Sequence, residues 1–254
     1  MFKEENYILV LGSKPDSKLP DIKVEHIYSA NGAAERAAEY KKKYPNINHT
    51  ALIGSKEFSE NQNVKSRVIN SRPQRLYCRS GSIDLPDELK NCELQFLNHK
   101  QQFNFQSKFY KFGGFDILLG EIFFYETNLI NLIKHTYACS TYRGFWGVAT
   151  GFYSFLLALY ENPDAKIIVS GIGLVEGGHF YTSKDSYGYV SERSQKLIKD
   201  GKKSLYNKFR NTSRCRVERF LISRMKNFFK KRIISVDDEM VKYGKVQKWS
   251  GKVI

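Results

Sequence analysis

Residues 139–181 read CSTYRGFWGVATGFYSFLLALYENPDAKIIVSGIGLVEGGHFY, and the punctuation of this stretch decides the fold class. A glycine-broken turn, Tyr142-Arg143-Gly144-Phe145-Trp146-Gly147, precedes an apolar run long enough for a helix of roughly four turns. Asn162-Pro163-Asp164 makes a short turn, Lys166 to Ser170 reads as a buried strand, and a glycine-rich loop runs on to His179, Phe180 and Tyr181. Loop, helix, strand and loop in that order are the parts of an α/β nucleotide-binding site. In open α/β sheets the ligand sits beyond the carboxyl ends of the strands, where glycines let backbone approach phosphate or sugar and helix N-termini present free N–H groups. Both loops are expected at such ends.

Toward the amino terminus the same grammar repeats. Tyr7 to Leu11 (YILVL) is a continuous apolar run of strand formers closed by Gly12-Ser13-Lys14-Pro15, the pattern of a strand buried on both faces. Val24 to Ser29 reads as a second strand, and Ala30-Asn31-Gly32 leads into AAERAAEYKKKYP, a run of strong helix formers that Pro45 stops. Thr50 to Ile53 is a third strand, closed by Gly54-Ser55-Lys56. Leu76 to Arg79 and Leu94 to Leu97 suit two further short strands. Residues 98–114 mix Phe and Tyr with amides and lysines without clean periodicity, which suggests a loop or irregular helix, and Phe115 to His135 reads as helical.

Beyond Tyr181, residues 182–214 are polar and lysine-rich, suited to two short helices or to a flexible flap over a site. Arg216 to Lys231 places Val217, Phe220, Leu221, Met225, Phe228 and Phe229 near helical spacing. The arginines and lysines between them form either a solvated basic face or a face that meets an anionic membrane. Arg232 to Val236 reads as a last strand, and Trp249 is expected to pack down.

Composition sets the bounds. A chain of 254 residues, 41% hydrophobic and 14% aromatic, can fill a real core, and one compact domain over 1–254 is expected. Lys and Arg number 41 against 26 Asp and Glu, a formal charge of +15 that calls for an acidic partner: nucleic acid, a phosphorylated lipid or sugar, or an anionic membrane face. The cysteines, Cys78, Cys92, Cys139 and Cys215, are widely spaced, which argues against a zinc site and a small disulfide framework. The N-terminal residues lack a signal-peptide pattern and no apolar run reaches about 18 residues, so a reducing cytoplasm is the expected compartment.

So laid out, the chain resembles bacterial CMP-sugar glycosyltransferases, the group containing the Campylobacter-type sialyltransferases and the lipopolysaccharide-core Kdo transferases. Three short motifs carry the likeness: Leu11-Gly12-Ser13-Lys14-Pro15, Ser29-Ala30-Asn31-Gly32, and Arg143-Gly144 through Ser170-Gly171-Ile172. The resemblance implies a Rossmann-like α/β domain of GT-A-variant type, a mostly parallel sheet with flanking helices, and a flap over residues 182–214. It implies a nucleotide site from Gly12, Ser13, Asn31, Gly144, Ser170 and Gly171. Two departures stand out: Gly173 occupies the place of the usual Asp, and no histidine occurs between Thr182 and Glu218, where the sialyltransferases keep a catalytic base.

His179 in the glycine loop is the remaining candidate for proton transfer, a histidine near its ordinary pKa of about 6.5 being suited to it; a loop residue with only a hydrogen-bonding role is the other reading. Arg143 matches the carboxylate that both sialic acid and Kdo carry, since a guanidinium grips a carboxylate bidentately; a structural arginine is the alternative. Tyr181, with Tyr187 and Tyr189, can hydrogen-bond a departing phosphate or pack a flap. No cofactor is required: there is no D-x-D triplet, and one leaving phosphate makes a divalent metal optional at most. The expected partners are a CMP-sugar donor, a lipid-linked glycan such as lipopolysaccharide or lipooligosaccharide core, and the cytoplasmic face of an anionic inner membrane, with room for a homo-oligomer and no nucleic acid. Two alternatives explain part of the chain: a basic nucleic-acid-binding protein, and a member of the transferase fold that binds sugar without turnover.

Overall fold

The computed structural model describes residues 6–14, 17–124, 148–175 and 205–254, without the side chains of 121–124 and 205–214. In chain order the elements are β1 (Tyr7–Leu11), β2 (His26–Ala30), α1 (Ala34–Lys43), β3 (Asn48–Gly54), α2 (Ser55–Glu60), α3 (Gln62–Ser71), β4 (Arg75–Arg79) and β5 (Glu93–Leu97). Then follow α4 (His99–Ser107), α5 (Gly114–Phe124), α6 (Thr150–Glu161), β6 (Lys166–Ser170), α7 (Leu205–Arg224), α8 (Asn227–Lys230), β7 (Ile233–Ser235), α9 (Asp238–Gly244) and β8 (Gln247–Lys248). All eight strands among the described residues join one sheet in the order β5-β4-β3-β2-β1-β6-β7-β8. Every pairing is parallel. The fold is α/β, with helices covering the sheet, and is compatible with a Rossmann-like arrangement.

The continuous apolar runs are the physical reason. A parallel strand sits between two helical layers, so residues of both parities must be apolar. In β1, Ile8 and Val10 face one cluster with Phe152, Leu156 and Val217, while Leu9 and Leu11 face another with Ala33, Ala37 and Tyr40. In β6, Ile167 and Val169 join the first and Ile168 the second. A third cluster packs Val64 and Val68 of α3 on Ala51, Ile53, Leu76 and Cys78.

Strand order reverses between β1 and β6. From β1 the chain steps outward through β2, β3, β4 and β5; after α6 it returns to the other side of β1 and continues through β7 and β8. Parallel pairing brings every strand's carboxyl end to one edge, and in open parallel sheets a reversal of strand order marks the crevice where ligands lie.

Several expectations shift in detail. Residues 98–114 contain a regular helix, α4, whose Asn98 side chain accepts from the Gln101 N–H while the Gln101 side chain accepts from the Asn98 N–H, a capping box. Its core-facing positions are Gln102 and Gln106, both buried, and these amides erase the apolar period. The helix expected over 216–231 starts at Leu205 and ends at Arg224; the Lys226 N–H then donates to the Phe109 carbonyl, and α8 begins anew. Residues 205–214, placed in the expected flap, thus belong to α7, and the strand at 233–235 is followed by another, β8. Residues 55–71 form two helices, α2 and α3, for which the sequence reading had offered no element. Trp249 packs edge-on against Tyr7 at 6.3 Å.

Two histidines are built into the sheet. His49 is fully buried, with Nε2 2.8 Å from the Ser29 hydroxyl; burial, reinforced by Lys41, pushes its pKa down to about 3. His26 stacks on Tyr28 and pairs with the Thr50 hydroxyl, and burial followed by the Arg75 charge lowers its pKa to about 4. Both are held neutral in the fold, so the unfolded chain binds protons first as pH falls. Stability is therefore full above about pH 6.5 and declines as pH drops from there, to about 4 for the His26 share and about 3 for the His49 share, at about 1.4 kcal/mol for each displaced pKa unit. Urea titrations at pH 7 and pH 5 should give a lower midpoint at pH 5, and His26→Gln should reduce that difference; equal midpoints at both pH values would refute the assignment.

Candidate functional site

Six loops leave the carboxyl edge of the sheet close to the reversal. Gly12-Ser13-Lys14 follows β1, Asn31 follows β2, Ser55 follows β3, Ser80-Gly81 follows β4, Gly171-Ile172 follows β6 and Val236-Asp237 follows β7. The β1 and β6 turns meet directly. The Gly12 N–H donates to the Ser170 carbonyl at 2.8 Å and the Lys14 N–H to the Gly171 carbonyl at 2.9 Å, extending the pairing past both strands.

The two backbones lie so close that a Cβ on Gly12 would fall 2.1 Å from the Gly171 carbonyl oxygen. Gly171 has φ +79°, in the left-handed region, and a Cβ there would fall 2.5 Å from the Gly12 oxygen. Both glycines are needed by the join itself. Four of the residues expected to bind nucleotide, Gly12, Ser13, Ser170 and Gly171, are thereby brought together from opposite halves of the chain.

Asp237 locks the join from the β7 side. Its Oδ2 accepts the Gly171 N–H at 2.6 Å and its Oδ1 accepts the Ser17 hydroxyl at 2.8 Å. The Ser170 hydroxyl lies 2.9 Å from that of Ser17 and donates to the Lys18 carbonyl at 2.7 Å. Lys14 Nζ is 3.8 Å from Asp237 and 2.6 Å from Glu239. Burial works against the charged form of Glu239, yet the Lys14 bond leaves its pKa below the usual value. A carboxylate accepting a backbone N–H at a glycine turn fixes that turn as a preformed surface.

Asn31, at φ +49°, stands at the end of β2. Its Oδ1 accepts the Gly54 N–H at 3.1 Å and its Nδ2 donates to Glu57, which ties the end of β2 to the end of β3 and to α2. The first turn of α6 borders the same strand ends. Gly151 lies against Ile172 and Ala30, and the Ala149 N–H donates to the buried Glu218 at 2.5 Å. Arg36 of α1 places Nη1 3.3 Å from where a Gly171 Cβ would be. It also lines a cavity of about 350 Å³ with Ser17, Leu19, Glu39, Tyr40 and Ile254. A second cavity, about 120 Å³, sits against the amino ends of β1 and β6, lined by Tyr7, Lys166 and Trp249 among others, away from the crevice.

The two glycine turns are thus rimmed by the Ser17 and Ser170 hydroxyls, the Asn31 amide, the Arg36 guanidinium and the Asp237 and Glu57 carboxylates, with the Gly12, Lys14 and Gly171 N–H groups bonded within the join. His179, Arg143, Tyr181 and Gly144 lie outside the described residues, as do Tyr187, Tyr189 and His135. Asp237, Arg36 and Glu57 were missed by the sequence reading. Asp237 had a signal, since an Asp-Asp pair directly after a strand sits where a loop carboxylate would; the other two depend on packing across the sheet edge.

The glycine join generates a paired prediction. Gly12→Ala should cost about 2 to 3 kcal/mol or more in urea unfolding, because neither backbone can move out of the other's way. Gly173→Ala, two residues past the join, meets only the Val175 carbonyl at 3.8 Å and should change stability by no more than about 0.5 kcal/mol. Equal effects from both would mean that the close approach does not hold the edge. Compared with protein-family models, with curated proteins and with solved structures, the chain matches none.

Proposed function

We propose that this chain is a glycosyltransferase that moves Kdo or a sialic acid from a CMP-activated donor onto a lipid-linked glycan acceptor at the cytoplasmic face of a membrane. The observation that carries the reading is the meeting of Gly12-Ser13 with Ser170-Gly171 at the reversal of strand order. These are segments that the sequence likeness names for the nucleotide, and a reversal in an open parallel sheet is where nucleotides lie. Arg36 beside Gly171 adds positive charge close to where a phosphate would rest. The GT-A-variant assignment and a covering flap belong to the same proposal.

The chemistry follows from the donor. An acceptor hydroxyl attacks the anomeric carbon, its new C–O bond forms as the bond to the CMP phosphate oxygen breaks, and the hydroxyl proton passes to a base. His179 is assigned that proton, Arg143 the donor carboxylate, and Tyr181 a hydrogen bond to the departing phosphate. One monoester phosphate leaves, which needs no metal clamp.

Binding without turnover is the second reading, favoured by the lack of any histidine between Thr182 and Glu218.

A thermal-shift series with CMP, CDP, UDP and GDP at matched ionic strength tests the reading. A ligand at about a hundred times its Kd adds about 2.7 kcal/mol, which raises Tm by roughly 5 to 10 °C for a chain of this size. The cytidine nucleotides alone should do so, and no shift with any nucleotide would reject the proposal. Turnover of CMP-Kdo or CMP-sialic acid should then fall at least a hundredfold in Arg143→Ala and His179→Ala; stabilisation by CMP with no turnover of either donor would select the second reading.

A further inference from the structure

The edge of the molecule opposite the crevice carries an unusual surface. Three phenylalanines stand out of it: Phe112 is 63% exposed, Phe115 59% and Phe228 65%, with Tyr160 of α6 49% exposed beside them. They sit on two segments that the fold binds together. Tyr110 bridges Met225, the Lys111 N–H donates to the Arg224 carbonyl at 3.1 Å, and the Lys226 N–H donates to the Phe109 carbonyl at 2.9 Å. Arg224 lies over the Phe112 ring at 5.0 Å, and Lys108 over Tyr160 at 4.6 Å.

Lysines surround the rings. Lys108, Lys111, Lys226 and Lys231 are exposed and Lys230 is half-buried; partial burial, then the charges of Lys111 and Lys245, lower the pKa of Lys230. Nearby carboxylates are largely engaged inward. Asp116 is fully buried, accepting from Arg224 at 3.0 Å and from the Phe112 N–H at 2.9 Å, and Glu161 accepts from Tyr28, Tyr77 and Arg75. Asp164 is the exposed acid near Arg232. Lysines gathered with Asp164 as the nearby exposed acid among the described residues are drawn to an anionic surface, and exposed phenyl rings among them gain by leaving water.

We infer that this surface, formed by Phe112, Phe115 and Phe228 with Lys108, Lys111, Lys226, Lys230 and Lys231, docks on an anionic lipid bilayer, the rings entering the headgroup boundary and the lysines meeting lipid phosphates. Protruding aromatic rings framed by lysines are the chemistry of interfacial membrane contact. The inference deepens the membrane placement in the proposed function and rests on that part of it, while its test is independent of nucleotide binding because neither the rings nor the lysines belong to the strand-end site.

Sedimentation with vesicles of phosphatidylcholine alone, and of phosphatidylcholine and phosphatidylglycerol in equal parts, tests it without any nucleotide. The full chain should pellet with the anionic vesicles and stay in solution with the neutral ones. Phe115→Ala with Phe228→Ala should weaken binding at least tenfold, and Lys111→Gln with Lys231→Gln roughly thirtyfold, each with an unchanged Tm because the side chains are exposed. No preference for anionic vesicles would overturn the inference, as would double variants that bind like the parent chain. So would a concentration-dependent dimer that the phenylalanine variant disperses in the absence of vesicle binding, since the surface would then serve a second copy. Retention of oligonucleotides that depends on the lysines but not the rings, with no vesicle binding, would assign it to nucleic acid instead.

Discussion

The backbone contact between Gly12 and Gly171 is the constraint on which the rest of this structure depends. Strands β1 and β6 are more than 150 residues apart in sequence, yet they pair along their whole length and continue to bond past their ends. Closing so long a loop costs entropy before any contact forms, and the return is the central pair of the sheet. Each side of the join removes a side chain: Gly12 leaves room for a carbonyl, and Gly171 takes the left-handed conformation that turns the chain away from β6. Asp237 then makes the turn from β6 depend on β7. The two halves of the sheet are held at the place where their direction of winding reverses, the place where ligands lie in open parallel sheets.

Polar residues inside the α/β layers are committed in the same way. Glu161, at the end of α6, accepts two tyrosine hydroxyls and an arginine from β2 and β4. Asp116 joins α5 to Arg224 of α7, and Glu218 of α7 caps the backbone leading into α6. A buried carboxylate is tolerated when its lone pairs are filled, so these groups fix the relative seating of helices that apolar packing alone would leave free to slide. Positive charge follows the opposite course. Lys108, Lys111, Lys226 and Lys231 stand exposed on the outer edge around the rings.

How far this could be read in advance depended on whether a segment's pattern was dictated locally. YILVL and KIIVS announce two-sided strands because both faces of a parallel strand are buried, and AAERAAEYKKK announces a helix through propensity and the Pro45 stop. In α4 the core-facing positions hold Gln102 and Gln106, so its apolar rhythm is absent although its capping box stands in the sequence. The stretch 216–231 shows the converse: its spacing continues through Phe228 and Phe229, but the bond from Lys226 to Phe109 breaks the helix after Arg224. Phe229 turns inward on Phe109 and Phe228 turns outward. Of the expected site, the glycine turns were legible as strand ends, whereas Asp237 and Arg36 reach them only through pairing and packing that no local pattern encodes.

By itself the sequence determined the class of fold, the positions of most strands and the glycines at their ends, because backbone conformation and two-sided burial act on neighbours in the chain. Only the tertiary structure decided the strand order 5-4-3-2-1-6-7-8, the direct contact of two glycine turns from distant segments, and the exposure of three phenylalanines on one edge. Those depend on which surfaces exclude water together, a property of the assembled layers that hydrophobic periodicity specifies in kind but not in partner.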